Sequence, residues 1–202
     1  LYSLVKNSIK SVDYFTIKTS DESYPIHLVG KGGRAIQISI HSPSQYICTN
    51  RERIFPDWKN KSMWVAVVLA QARCELLKDN AFIDAEKEIL REQFIRYGFD
   101  VAFNLRDAGY FSDLVDPRSG YPILSRPGEF PHDDTAVVKA LLGYPIIKNK
   151  CRVVLHPTWG TAVYPGILIS SAPPVGIEWM LKSVASLHGW QEVDVQQPIV
   201  NS

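Results

Sequence analysis

The sequence predicts a single-domain α+β fold in which helices flank a central, largely antiparallel sheet. Three observations carry that expectation. Strand-period and helix-period apolar stretches alternate along the chain without the regular strand–helix–strand rhythm that builds a parallel sheet. One stretch, "MWVAVVLAQA" at residues 63–72, is apolar but for Gln71 and dense in β-branched residues, as a strand covered on both faces requires. A long stripe of apolar residues spaced three and four apart then marks a helix able to span such a sheet. With 202 residues, 46% of them hydrophobic, one domain can bury a sizeable core.

Residues 1–33 read as an N-terminal arm or edge strand: "DYFTIKT" alternates, and "GKGG" interrupts it with glycines. The folded domain is expected over residues 34–202. "AIQISI", residues 35–40, alternates cleanly as a strand, and "SPSQYICTNRERIFPDW" opens a short helix at Ser-Pro that Pro56 ends. After the central strand comes a helix from about Asp84 to Ala108. Asp84 is its expected cap, Glu86 and Glu88 lie where the helix dipole favours negative charge, and Gly109 is the stop. Leu90, Phe94, Tyr97, Val101, Leu105 and Ala108 form its apolar stripe, while Glu92 and Arg96 are spaced to pair on the wet side. At about 1.5 Å per residue the helix is roughly 37 Å long.

Residues 111–134, rich in proline and glycine, read as one long loop, of the kind usually tied to function. "DDTAVVKALLGY" is a short helix ended by Gly143. "CRVVLHPTWGTAVYPGILIS" gives two strands joined near Pro157 to Thr161, and "PPVGIEWMLKSVASLHGW" an amphipathic C-terminal helix. No internal repeat occurs.

Composition excludes several function classes. Lysine and arginine number 22 against 21 acidic residues, and no basic block of the kind a nucleic-acid binder carries is present. The longest apolar stretches, Met63 to Ala70 and Val163 to Ile169, fall far short of the roughly 20 residues of a membrane helix. The three cysteines, Cys48, Cys74 and Cys151, form no C-x-x-C pair and fit reduced thiols in a cytosol-like compartment. Because the chain opens on Leu1, the expectation includes a mitochondrial form directed by a preceding segment.

Most local motifs favour structure over chemistry. "VGKGGR" lacks the spacing and the following helix of a phosphate loop, so it reads as an exposed turn. No G-x-S-x-G, H-E-x-x-H or cysteine cluster anchors a hydrolase or zinc site. In "FPHDD", His132 lies beside two carboxylates, but Asp133 or Asp134 is what the N-terminus of the next helix needs. Asp116-Pro117 is a turn starter, and Trp159 fits core packing better than ligand stacking. For Cys151 two readings stand level: a small apolar strand residue, or a reactive thiol whose thiolate Lys148, Lys150 and Arg152 would favour. His156 lies five residues on, an odd separation that puts the two side chains on opposite faces of a regular strand.

Two segments carry a family resemblance. "FIRYGFDVAFNLRDAGYFSDLVDPRSG" at residues 94–120 and "CRVVLHPTWGTAVYPG" at residues 151–166 resemble the CblD family of cobalamin trafficking proteins, the methylmalonic aciduria and homocystinuria type D family. The matching residues are Leu105, Arg106, Gly109, Tyr110, Asp113, Asp116, Pro117, Ser119 and Gly120, then Val153, His156, Trp159, Gly160 and Thr161. A looser likeness runs from about Gly33 to Pro174.

The resemblance implies a nitroreductase-like fold that has lost flavin use, and an adaptor that is not an enzyme. Such an adaptor binds the cobalamin-processing chaperone CblC and routes cobalamin (vitamin B12) toward methionine synthase, a further expected partner, and toward the methylmalonyl-CoA mutase branch. No cofactor is expected to bind independently, since the cobalamin is held by the partner. In the family a cysteine thiolate ligates that cobalt in trans, from a Cys-Cys pair ahead of a strand. Lys150-Cys151 stands at that place here, which makes Cys151 the expected cobalt ligand. The alternatives are a flavin-dependent oxidoreductase, which needs a basic cluster for the flavin phosphate, and a thiol-dependent one, which needs a resolving thiol.

Overall fold

The computed structural model describes residues 25–148 and 151–194, so the strand expected at "DYFTIKT" and the side chain of Lys150 lie outside the described residues. In chain order the elements are β1 (Ile26–Val29), β2 (Ala35–His41), α1 (Gln45–Ile54), β3 (Trp64–Gln71), α2 (Ala81–Asp107), β4 (Ser112–Val115), α3 (Asp134–Leu142), β5 (Ile146–Lys148), β6 (Arg152–Val154), β7 (Val163–Ser170), α4 (Pro174–Leu187) and β8 (Gln191–Glu192). Six strands form one sheet in the order β4-β7-β3-β2-β1-β8, and every pairing is antiparallel. The α+β class, the single domain and the antiparallel sheet therefore agree with the sequence.

β3 is central because both of its faces are apolar. Ala66 and Val68 join Ile36, Ile38, Ile40 and Leu168 in a core closed by α2 and α4. Val65, Val67 and Leu69 face the other way, with Ile167 and Ile169, against Ile47, Phe55, Trp58, Val137 and Val138. The sheet is thus sandwiched between helical layers, and its strands alternate between two cores rather than between core and water.

Helix α2 begins earlier than expected. Asn80, not Asp84, is the cap: its side chain accepts from the Ile83 N–H at 3.0 Å, and Asp84 sits in the first turn. Both residue types suit a cap, and Asn80 wins because the apolar stripe already starts at Ile83, which is buried. The stripe Leu90, Phe94, Tyr97, Val101 and Leu105 is buried as expected. Gly98 and Gly166 set how close α2 lies to the sheet: a Cβ would come within 2.8 Å of Leu114 at the first and 2.5 Å of Phe94 at the second. At 27 residues the helix is about 40 Å long.

Four further expectations change. Glu86 is not a surface dipole partner; it is 6% exposed and accepts from Arg34 Nη1 at 2.6 Å and Nη2 at 2.9 Å, tying α2 to the start of β2. Glu92 and Arg96 form no ion pair with each other or with any other of the described residues. The loop expected over residues 111–134 contains β4, a fully buried sheet strand, which its short length and polar first half disguised. The two strands around Pro157 to Thr161 exist but belong to different sheets: β6 pairs with β5 in a separate hairpin, and β7 pairs with β3 and β4. No helix among the described residues is long and apolar enough to cross a membrane.

Candidate functional site

Cys151 lies in the connection of the β5–β6 hairpin, next to the closing pair Lys148 and Arg152, and its thiol is exposed. The buried-strand reading therefore falls: strand pairing begins one residue later, and the apolar positions are Val153 and Val154. The hairpin is a firm mount. Arg152 donates to Asp133, which also caps α3 by accepting from the Ala136 N–H at 3.0 Å. Burial tends to raise the Asp133 carboxyl, but hydrogen bonds from Thr135 and Ala136 and the charge of Arg152 hold it below the ordinary carboxylate range. The Leu155 N–H donates to the Pro145 carbonyl at 2.8 Å. Part of the positive charge expected around the thiol is thereby shared with Asp133.

His156 does not accompany Cys151; it is 4% exposed and anchors the turn that follows β6. Its Nδ1 accepts from the Thr158 and Trp159 N–H groups, both at 3.1 Å. That fixes the tautomer, so Nε2 carries the proton and donates to Gln37 Oε1 at 3.1 Å. Gln37 Nε2 in turn donates to Tyr144 Oη at 3.1 Å. Trp159 stacks on the imidazole with centroids 4.0 Å apart and planes 11° from parallel. Burial, with a smaller effect of His27, lowers the His156 pKa from 6.5 to about 4. This chain from Tyr144 through Gln37 to His156 joins the hairpin's flanks to β2 in the main sheet.

Arg106, Asp113, Asp116 and Gly120, also among the family-matching residues, build the corner between α2 and the loop after β4. Arg106 Nε donates to the Ser112 carbonyl at 2.7 Å. Buried Asp113 gathers the Leu114, Ile123 and Leu124 N–H groups and the Ser125 hydroxyl. Asp116 receives Arg91 twice, at 2.7 and 3.2 Å. Burial raises its carboxyl, yet Arg91, the Arg118 N–H and Ser119 together hold it below the ordinary range. Gly120 has φ +74 and no room for a Cβ, which would lie 2.5 Å from the His132 carbonyl. These contacts hold the loop against the body of the domain.

His132 and Asp134 meet inside, with Nδ1 and Oδ1 2.8 Å apart, while His132 Nε2 and Asp134 Oδ2 find no partner among the described residues. Burial pushes the Asp134 carboxyl up, against the pull of His132. The pair is sealed off, so Asp133 does the capping and His132 serves packing. No group of three or more His, Cys, Asp or Glu side chains among the described residues is arranged to hold a metal ion. Cys48 is exposed on α1, Cys74 is half-buried after β3, and both are free thiols.

Sequence reasoning missed Gln37, Tyr144 and the Arg34–Glu86 pair. Gln37 left a trace, being polar in a strand with apolar neighbours; Arg34 and Glu86 are 52 positions apart and left none.

The family profile described as methylmalonic aciduria and homocystinuria type D protein matches residues 10–181. The likeness therefore starts well before Gly33 and runs past Pro174. The human protein named "Cobalamin trafficking protein CblD" is 24% identical over 140 residues, 69% of this chain and 47% of that protein. The mouse protein of the same name is 24% identical over 138 residues, 68% of this chain and 47% of its own, and the chicken protein 21% over 140 residues, 69% and 47%. The chain spans about half the length of the curated relatives it matches.

Proposed function

Because the chain belongs to the methylmalonic aciduria and homocystinuria type D protein family, we propose that it is a non-catalytic adaptor in cobalamin trafficking whose Cys151 ligates, in trans, the cobalt of cobalamin held by a partner. The partner under this reading is the cobalamin-processing chaperone CblC, and methionine synthase and the mutase branch are the destinations. The carrying observation is the exposed thiol at the connection of a braced hairpin. A ligand offered to a metal inside another protein must stand clear of its own fold, and a thiolate is a soft donor suited to cobalt. On ligation the Cys151 thiol would give up its proton and supply a thiolate donor to the cobalt in place of a weaker ligand such as water, with no electron transferred. The antiparallel sheet between helical layers is compatible with a nitroreductase-like fold, which we propose on the family resemblance.

The test mixes the protein with cobalamin-loaded CblC and follows both co-elution and the cobalamin absorption spectrum. The wild type and Cys48→Ser should co-elute and shift the spectrum, while Cys151→Ser should co-elute without the shift. An unchanged spectrum with Cys151 intact overturns the ligation, and failure to co-elute overturns the adaptor reading.

A further inference from the structure

A groove of about 320 Å³ opens between α2 and the sheet, toward β1 and the turn after α4. Its walls are apolar and aromatic: Ile36, Val68 and Ala70 from the sheet, Ile89 and Phe94 from α2, and Trp190 beyond α4. Its mouth is charged. Lys31, in the turn of "VGKGGR", and Arg96, on α2, line it, and neither makes an ion pair among the described residues. Arg34 also lines the groove, but Glu86 neutralises it, and His188 is held by Asp100 at 2.7 Å. Among the described residues Glu92 is the one carboxylate on the lining. Two cations without an ion pair among those residues, against that one carboxylate, leave the mouth positive.

From this arrangement we propose that the groove binds a small planar aromatic anion, its ring against Trp190 and the apolar wall and its charge between Lys31 and Arg96. The volume lies at the low end of the range for small-molecule sites, about 300–1,000 Å³, which suits one or two fused rings. Trp190 is half-buried, with Tyr97 against it at 4.6 Å between ring centroids, and its remaining exposed surface offers a flat partner for such a ring. A Cβ at Gly30 would lie 3.4 Å from Trp190 Nε1, in ordinary van der Waals contact, so the turn packs directly beside the indole. The "VGKGGR" segment is then one wall of a binding groove, although it is no phosphate loop. Opposite charge at the mouth adds an attraction that salt screens.

The probe is 8-anilinonaphthalene-1-sulfonate, with N-phenyl-1-naphthylamine as its uncharged counterpart, titrated into the full chain by fluorescence and by NMR of the tryptophan indole N–H groups. The sulfonate should move the Trp190 indole resonance and leave that of Trp179, exposed on α4, in place. Lys31→Gln and Arg96→Gln should each weaken it roughly threefold to fivefold, Glu92→Gln should tighten it, and none should change binding of the uncharged probe. Perturbation centred on Trp179, or equal loss of both probes in the charge variants, overturns the proposal.

Discussion

His156 makes its contribution as a neutral ring. Its Nδ1 accepts two backbone N–H groups, so protonation would break both. In the unfolded chain the group titrates near 6.5 and in the folded chain near 4, so between those values the unfolded state binds the extra proton. Its stabilising effect is complete above pH 6.5 and is lost as pH falls through 4. Urea midpoints of the wild type should drop across that window, and those of His156→Gln should be lower at pH 7 but flatter; parallel curves would contradict this. Asp113 offers a second test. Asp113→Ala leaves several buried donors without an acceptor and should cost about 3 kcal/mol, read from urea unfolding. Asp113→Asn should recover part of that, because one amide oxygen can still accept.

At the scale of elements, the Arg34–Glu86 bond fixes where α2 starts relative to β2. Arg34→Met alone leaves the buried Glu86 carboxylate with the Arg73 N–H as its one remaining partner among the described residues, at 2.7 Å, and should cost about 3 kcal/mol. The double variant Arg34→Met with Glu86→Leu should regain most of that, and a double-mutant cycle by thermal or urea unfolding would measure the coupling. The hairpin forms its own two-stranded sheet; Val153 and Val154 pack against the body of the domain, and Tyr144, Gln37 and His156 tie its flanks to β2. Gln37→Leu should raise amide hydrogen exchange in β5 and β6 while β3 and β7 stay protected; uniform loosening of all four would show that the hairpin is no separate unit.

For the whole molecule, periodicity made the large features readable. β3 declared itself through unbroken apolar sequence, and α2 through a stripe long enough to outweigh a misplaced cap. What stayed hidden depends on contacts between distant residues. β4 has only four residues and becomes a strand because β7 offers an edge and Asp113 folds the following loop back over it. Membership of β6 and β7 in different sheets is a tertiary choice that strand propensity cannot register. The position of Cys151 beside a loop was readable, because charged residues surround it and apolar ones begin only at Val153. The groove at Lys31 and Arg96 was not, since its walls come from four separated stretches.

The separateness of the hairpin has a consequence for how its thiol can change over evolutionary time. A residue inserted into or removed from a connection inside the six-stranded sheet would slip a strand and turn its side chains to the wrong face. In the β5–β6 connection the same event would displace the sulfur by about one residue's rise, roughly 3.3 Å, and leave every pairing of the large sheet untouched. The reach of Cys151 is therefore free to vary while the body of the domain stays under packing constraint.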